Sequence, residues 1–322
     1  MRYRRLGRTA LEVSEVCLGT MNFGPNTSEA DAHQILDRAV QAGINMVDTA
    51  DQYGGHCGVG TTEGIIGRWL ASGEGRRERV VLATKVHEPM SDLPNDRGLS
   101  ARHIMRACED SLRRLQVDHI DLYQMHHIDR AAPWEEVWQA METLVAQGKV
   151  TYVGSSNFAG WNIAQANEVA KSRHFLGLVS EQSLYNLTER TIELEVLPAC
   201  AAYGLGVLPW SPLAGGLLAG TPSEGSGQRR GSAQAQRRAD AMRPQLDRWE
   251  QVCRDLGEQP SAVGLAWLLH RPGVTAPVVG PRTIDQLAGA LHATSIELAP
   301  EILEQLDTIF PGPGPAPEAY AW

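Results

Sequence analysis

A closed (β/α)8 barrel of the α/β class, preceded by a short hairpin, is the architecture the sequence predicts. Three observations predict it. Short β-branched runs recur eight times, amphipathic helical patterns lie between them, and most runs are spaced by roughly 30 residues, the size of one βα unit. Alternating βα units imply a parallel sheet, and eight of them favour closure over an open doubly wound sheet.

In order, the runs are VSEVCLGT (from Val13), NMVDTA (from Asn45), RVVLATK (from Arg79) and IDLYQMH (from Ile120). VTYVGSSN (from Val150), GLVSEQS (from Gly177), GVLPWSP (from Gly206) and APVVGP (from Ala276) complete the set. Between them, Ser28 is placed to cap a helix with apolar residues at Ile35, Leu36, Ala39 and Val40, and Gly43 sits where such a helix ends. Ser100 opens a second, through Ile104, Ala107, Cys108, Ser111, Leu112 and Leu115. Pro133 opens a third at a tolerated first-turn position. Upstream, Tyr3 to Arg5 and Leu11 to Val13, with Gly7-Arg8-Thr9 in the turn, read as a hairpin that plugs the barrel bottom. The whole chain, 1–322, thus reads as one domain with two irregular parts. Residues 213–243 read as a long mobile loop after strand 7, and 311–322 as a Pro/Gly-containing tail ending in Tyr320 and Trp322. The tail is either a frayed terminus or an aromatic flap over a pocket or a subunit contact.

Composition narrows the function. The 322 residues are 43% hydrophobic and 21% charged, ordinary for a globular protein with a full core. The net charge of −9 opposes phosphate-backbone binding and docking on anionic lipid, so neither a nucleic-acid nor a membrane partner is expected. No apolar run reaches the roughly 18 residues of a membrane span, and no apolar region follows the basic start MRYRRLGRT. Five scattered cysteines without a C-x-x-C pair argue against a disulfide framework or a cysteine zinc site, and a reducing cytoplasm is the simplest compartment. The sequence leaves a homo-oligomer open.

Reacting groups of such a barrel come from the C-terminal ends of strands. Strand 2 ends in Asp48 with Tyr53 beyond it, strand 3 in Lys85, and strand 4 in His126-His127. Singly each has an ordinary explanation as a cap, turn, surface or core residue. Together they form a chemical set: a tyrosine whose pKa a nearby ammonium lowers, a carboxylate that keeps the lysine charged, and a histidine to position a carbonyl oxygen. The other strand ends read as a cofactor bed. Ser156, Asn157 and Gln182 suit a carboxamide, and Trp210 offers a flat face. Gly215 and Gly216 let backbone amides approach phosphate, and Arg282 and Thr283 open a helix toward an anion. His126 and His127 are adjacent, and neighbouring strand residues point to opposite faces, so no metal is expected.

LGTMNFG, MVDTADQYG, ATKV, DLYQMHH, VGSSNF and PWSPLAGGLL carry a further signal. With them the sequence resembles the aldo-keto reductase superfamily over essentially its whole length. The resemblance implies a (β/α)8 oxidoreductase that uses NADPH to reduce a ketone or aldehyde, with Asp48, Tyr53, Lys85 and His126 as catalytic tetrad and Tyr53 as general acid. It implies cofactor contacts from Thr20, Met21, Asp48, Ser156, Asn157, Gln182 and Trp210. Those contacts continue with Ser211, Pro212, Leu213, Gly215, Gly280, Arg282, Thr283 and Gln286. One departure stands out: the family usually shows Glu then Asn a few residues after that glutamine, against adenine, where this chain has Gly289 and Ala290. Basic loop residues Arg229 and Arg230 are candidates to compensate. SPLAGGLL resembles the branch shared with potassium-channel β subunits, and MHHIDR, NFAGW and APEAYAW resemble reductases of nucleotide-linked keto-deoxysugars. LGTMNFG does not fit the G-x-G-x-x-G of a Rossmann dehydrogenase. Two alternatives stand beside the reductase reading, a Schiff-base lyase using Lys85 and a channel-associated redox sensor. Trp134, Trp161 and Tyr320 are candidate pocket-wall residues.

Overall fold

The computed structural model describes residues 1–73, 75–220 and 233–321, the side chain of Gln234 excepted. The hairpin forms as β1 (Tyr3–Arg5) and β2 (Glu12–Ser14), antiparallel, with Arg4 opposite Val13. Eight parallel strands follow: β3 (Cys17–Gly19), β4 (Met46–Asp48), β5 (Val81–Val86), β6 (Ile120–Met125), β7 (Val150–Ser156), β8 (Leu178–Gln182), β9 (Gly206–Val207) and β10 (Val278–Val279). They are ordered β10-β3-β4-β5-β6-β7-β8-β9. The ring closes where the Thr275 N–H donates to the Val207 carbonyl and the Val278 N–H to the Pro209 carbonyl, each at 2.8 Å. Each of the eight runs read from the sequence supplies one of these strands.

The helical layer comprises α1 (Glu29–Gln41), α2 (Thr61–Ala71), α3 (Ala101–Leu115), α4 (Trp134–Ala146), α5 (Gly160–Ser172) and α6 (Val196–Tyr203). It continues with α7 (Ala233–Ala241), α8 (Arg243–Leu256), α9 (Pro260–Leu269), α10 (Ile284–His292), α11 (Pro300–Ile309) and the short α12 (Glu318–Ala321). Ser28 and Ser100 cap α1 and α3 as expected, accepting from the N–H groups of Asp31 and His103. Pro133 stands one position earlier than expected, at the N-cap of α4.

Two cores result. One lies between sheet and helices. The other fills the barrel, where Cys17, Met46, Val81, Ala83, Leu122, Val179, Leu208 and Ala276 meet Leu6 and Val13 of the hairpin. The hairpin is thus a plug, and its turn is tightly fitted. A Cβ on Gly7, which has φ +56°, would stand 2.5 Å from the Val179 carbonyl oxygen and 2.6 Å from that of Gly204.

Three expectations need correction. The 213–243 segment is not loop throughout: Ala214–Ala219 forms a 3-10 segment and Ala233–Ala241 is α7, whose Arg238 donates to Glu189 at 2.7 Å. Its central part, including Arg229 and Arg230, lies outside the described residues, as does Trp322. Trp134 is no pocket wall. It is buried in the helical layer, stacked on Trp138 and donating to Gln165, because the first turn of α4 packs on α5. The tail is anchored rather than frayed up to Ala316, whose N–H donates to the Leu194 carbonyl at 2.8 Å, while Tyr320 is exposed.

Candidate active site

Strand alternation builds the site. Side chains two residues apart share a face, so β5 points Val81, Ala83 and then Lys85 inward, and β4 points Met46 and then Asp48. Register does the rest: Asp48 pairs with Ala83, Lys85 with Gln124, and Ser156 with Gln182. The apolar barrel core therefore ends upward in a polar layer of Asp48, Lys85, Gln124 and Gln182, all buried.

Lys85 Nζ donates to Asp48 Oδ2 at 2.6 Å, to the Thr49 carbonyl at 2.8 Å and to the Tyr53 hydroxyl at 3.4 Å. Asp48 Oδ1 accepts from Gln124 Nε2 and Gln182 Nε2, each at 2.9 Å. A buried ion pair of this kind is tolerable because each partner's remaining capacity is satisfied. Burial alone works against the ammonium, but Asp48 and Tyr53 outweigh it and hold the Lys85 pKa above its ordinary value. For Tyr53 the net direction differs from the sequence expectation. Burial pushes its hydroxyl upward, and Lys85 offsets only part of that. The phenol is therefore firmly protonated. Tyr53 and His126 meet edge to face, ring centroids 5.9 Å apart. Burial, then Lys85, His127 and His87, push the His126 pKa down to about 2, so its imidazole is neutral.

His126 and His127 lie past the end of β6, where alternation no longer applies, and their rings stack at 5.1 Å instead of diverging. His127 Nε2 is 3.3 Å from Glu88 Oε1, and the His87 ring is 5.4 Å from that of His127. Even so, no group of three or more His, Cys, Asp or Glu among the described residues could hold a metal.

The expected carboxamide residues are bonded to one another. Ser156 Oγ donates to the Gln182 carbonyl at 2.8 Å. Asn157, at φ +60°, donates through Nδ2 to Ser156 Oγ and the His126 carbonyl and accepts from Trp210 Nε1 at 2.9 Å. Beyond Trp210 the backbone takes positive φ at Ser211, Ala214, Gly215 and Gly216. Within it the Ala214 and Gly215 N–H groups donate to the Ser211 carbonyl and hydroxyl, and those of Gly216 and Leu218 donate to the Leu213 carbonyl. A Cβ on Gly215 would meet nothing within 4 Å, so the space above it is open. Pro212 is buried and Leu213 packs against Gly264. Across the mouth, Thr20 donates to the Asp48 carbonyl, Met21 is exposed, and Gly280 is tied by its carbonyl to Asn22 Nδ2 at 2.8 Å. Thr283 caps α10, Gln286 Oε1 accepts from the Arg282 N–H, and the Arg282 guanidinium has no partner among the described residues. The partly exposed Trp210, the open space above Gly215 and the Arg282 guanidinium stand past the ends of β9 and β10, an arrangement that fits a dinucleotide. The site's own polar groups fit it too: the Gln182 Nε2 is spent on Asp48, while its Oε1 is free to accept.

Sequence reasoning missed Gln124, Asn22 and Asp51, and found Glu181 at a strand end without giving it a role. Gln124 was findable, as it stands two residues after the inward-facing Leu122 on β6 and shares its face. Asp51 is fully buried with both carboxyl oxygens unpartnered, and burial beside Glu63 pushes its pKa well up. A groove of about 1100 Å³ is lined by Leu11, Asn45, Arg77, Asp121 and Lys149. Those are strand beginnings, so it lies at the end opposite Asp48, Tyr53, Lys85 and His126.

The model of the Aldo/keto reductase family matches residues 15–310. The chain belongs to the aldo/keto reductase family. It is 54% identical to the uncharacterized oxidoreductase YrpG of Bacillus subtilis, over 100% of both chains. It is 32% identical to the versiconal hemiacetal acetate reductase of Aspergillus parasiticus, covering 95% of this chain and 96% of that one. It is 30% identical to a probable voltage-gated potassium channel subunit β of Oryza sativa, covering 99% and 100%. No helix among the described residues is long and apolar enough to cross a membrane.

Proposed function

We propose that this member of the family is an NADPH-dependent oxidoreductase that reduces a ketone or aldehyde to an alcohol. The observation that carries the reading is the Asp48–Lys85–Tyr53 line, at 2.6 and 3.4 Å, ending beside a neutral His126. When bound, the nicotinamide supplies a hydride for the carbonyl carbon. Ser156, Asn157, Gln182 and Trp210 would hold its ring, the Ser211–Gly216 turn its pyrophosphate, and Arg282, Thr283 and Gln286 its adenosine end.

Lys85 donates to the Tyr53 oxygen, so the phenol's own proton points away from it and is available to a substrate oxygen. Asp48 keeps Lys85 charged, which stabilises the phenolate left after that transfer. The buried His126 Nδ1 has no partner. An orphaned N–H costs more than an orphaned lone pair, so the ring carries its proton on Nε2 and donates from there. The substrate class we infer is a polar ketone, a nucleotide-linked keto-deoxysugar. Its support is the polar rim of His87, Glu88 and His127 beside His126, together with the motif resemblance above. The five free cysteines, four of them buried, suit a reducing cytoplasm.

Tyr53→Phe is expected to abolish NADPH consumption with an activated aldehyde while NADPH still binds. Wild-type rates in that variant sink the role assigned to Tyr53. A channel-associated redox sensor is the second reading, supported by the name of the rice relative. NADPH binding without turnover of any carbonyl would favour it. The Schiff-base reading loses ground because Lys85 is held charged, the unreactive form of a nucleophilic amine.

A further inference from the structure

Glu181 is fully buried, on the face of β8 opposite Gln182, and the chemistry above does not use it. Its Oε1 accepts from the Ser183 hydroxyl at 2.7 Å and the Phe158 N–H at 3.1 Å, and its Oε2 accepts from the Ser155 hydroxyl. Donors from β7, from the turn after β7 and from the residue after β8 thus converge on one carboxyl. β8 also carries one extra residue here: Val153 pairs with Leu178, but Ser155 pairs with Glu181. Such bulges re-aim side chains beside active sites. The turn that Glu181 holds carries Asn157 in its left-handed conformation. Asn157 in turn joins the Trp210 indole to the His126 carbonyl.

We propose that Glu181 is a positioning residue for cofactor binding: its carboxylate fixes the turn bearing Asn157, and through it Trp210 and His126. The proposal rests on the reading of these strand ends as a nicotinamide bed. Charge matters because every group facing the carboxyl is a donor, and hydrogen bonds to an ionised acceptor are roughly twice as strong as neutral ones. Burial, opposed by those bonds, pushes the Glu181 carboxyl up to about 7. The titratable group that faces it from the helical layer is Cys200 of α6, whose thiol burial pushes up and keeps neutral. The main influences on it are burial and the hydrogen bonds from Ser155, Ser183, Phe158 and Asn157.

The test is NADPH titration by tryptophan quenching from pH 6 to 8.5, on wild type, Glu181→Gln and Ser183→Ala. Binding that requires the carboxylate weakens about tenfold between pH 8 and pH 6 for a group titrating near 7. Glu181→Gln is expected to bind weakly and to lose that component. Ionisation of the cofactor's own phosphate is common to all three proteins and cancels. Ser183→Ala keeps the carboxylate but removes one donor, so the midpoint moves upward; it also serves if Glu181→Gln does not fold. Apoprotein melting gives a second readout. The folded pKa lies above the ordinary carboxylate value, so this group's contribution is lost as pH rises through the interval between them. Wild type should therefore lose melting temperature from pH 5 to 8 relative to Glu181→Gln. Parallel binding curves for wild type and Glu181→Gln, or an unmoved midpoint in Ser183→Ala, overturn the proposal and leave the reductase reading standing. Absence of NADPH binding by wild type at every pH overturns that reading, and the proposal with it.

Discussion

Replacing Asp48 by Asn tests the electrostatic centre of the molecule. The carboxylate is 2.6 Å from Lys85 Nζ, with the two side chains 3% and 0% exposed. Asn is nearly isosteric, so packing is kept and the charge alone is removed. The Asn cannot satisfy all its neighbours, because Lys85, Gln124 and Gln182 all donate toward that position. Removing one partner of a buried pair costs about 3–5 kcal/mol. At roughly 2 °C per kcal/mol for a chain of this size, the melting temperature should fall by about 6–10 °C. The sign of the pH dependence follows. With Asp48 present, Lys85 has a raised pKa and its contribution is lost only as pH rises through that value. Without Asp48, burial dominates and the folded pKa drops below the unfolded one. The native state then holds fewer protons than the unfolded state, so the deficit shrinks as pH climbs from 7 toward 10. The assay is thermal denaturation of both proteins at pH 7, 8.5 and 10, with Lys85→Met added to the Asn variant. The double variant should recover part of the loss, since the uncompensated ammonium is gone. A variant that melts within 2 °C of wild type at pH 7, or a deficit that grows with pH, refutes the reasoning.

Other outcomes follow from the same geometry. Gly7→Ala places a Cβ inside the radius of three backbone atoms and strains a left-handed residue, so we expect a loss above about 3 kcal/mol, read by urea unfolding. Gly289→Ala sits inside α10 with nothing near the new Cβ, so unfolding should show a gain of about 0.5–1 kcal/mol. Because the His126 pKa is pushed down to about 2, the pH profile of kcat should show no limb from this imidazole between pH 5 and 8. A limb present in wild type and absent in His126→Asn would contradict that.

Much of this site was legible one strand at a time. Lys85 follows Val80-Val81-Leu82-Ala83, and a lysine at the end of such a run has no comfortable place except a polar mouth. Asp48 and His126 occupy equivalent places, and the rule that barrel chemistry gathers at strand C-termini brought them together with Tyr53. Ser28 and Ser100 announced their helices by local capping, which needs no tertiary partner. Gln124 was missed although it shares a face with the inward-facing Leu122, because its partner Asp48 lies two strands away.

By itself, then, the sequence determined the eight βα units, the hairpin plug and the end of the barrel that gathers Asp48, Tyr53, Lys85 and His126. Those follow from periodicity and local hydrogen bonding, which act over a few residues. Only the tertiary structure decided the net upward shift of Tyr53, the neutrality of His126, the stacking of His126 on His127, and the burial of Trp134 and Glu181. Each depends on how much water is excluded and on which donors the stagger of neighbouring strands brings opposite a side chain. Both are set by residues tens of positions apart, and no local pattern encodes them.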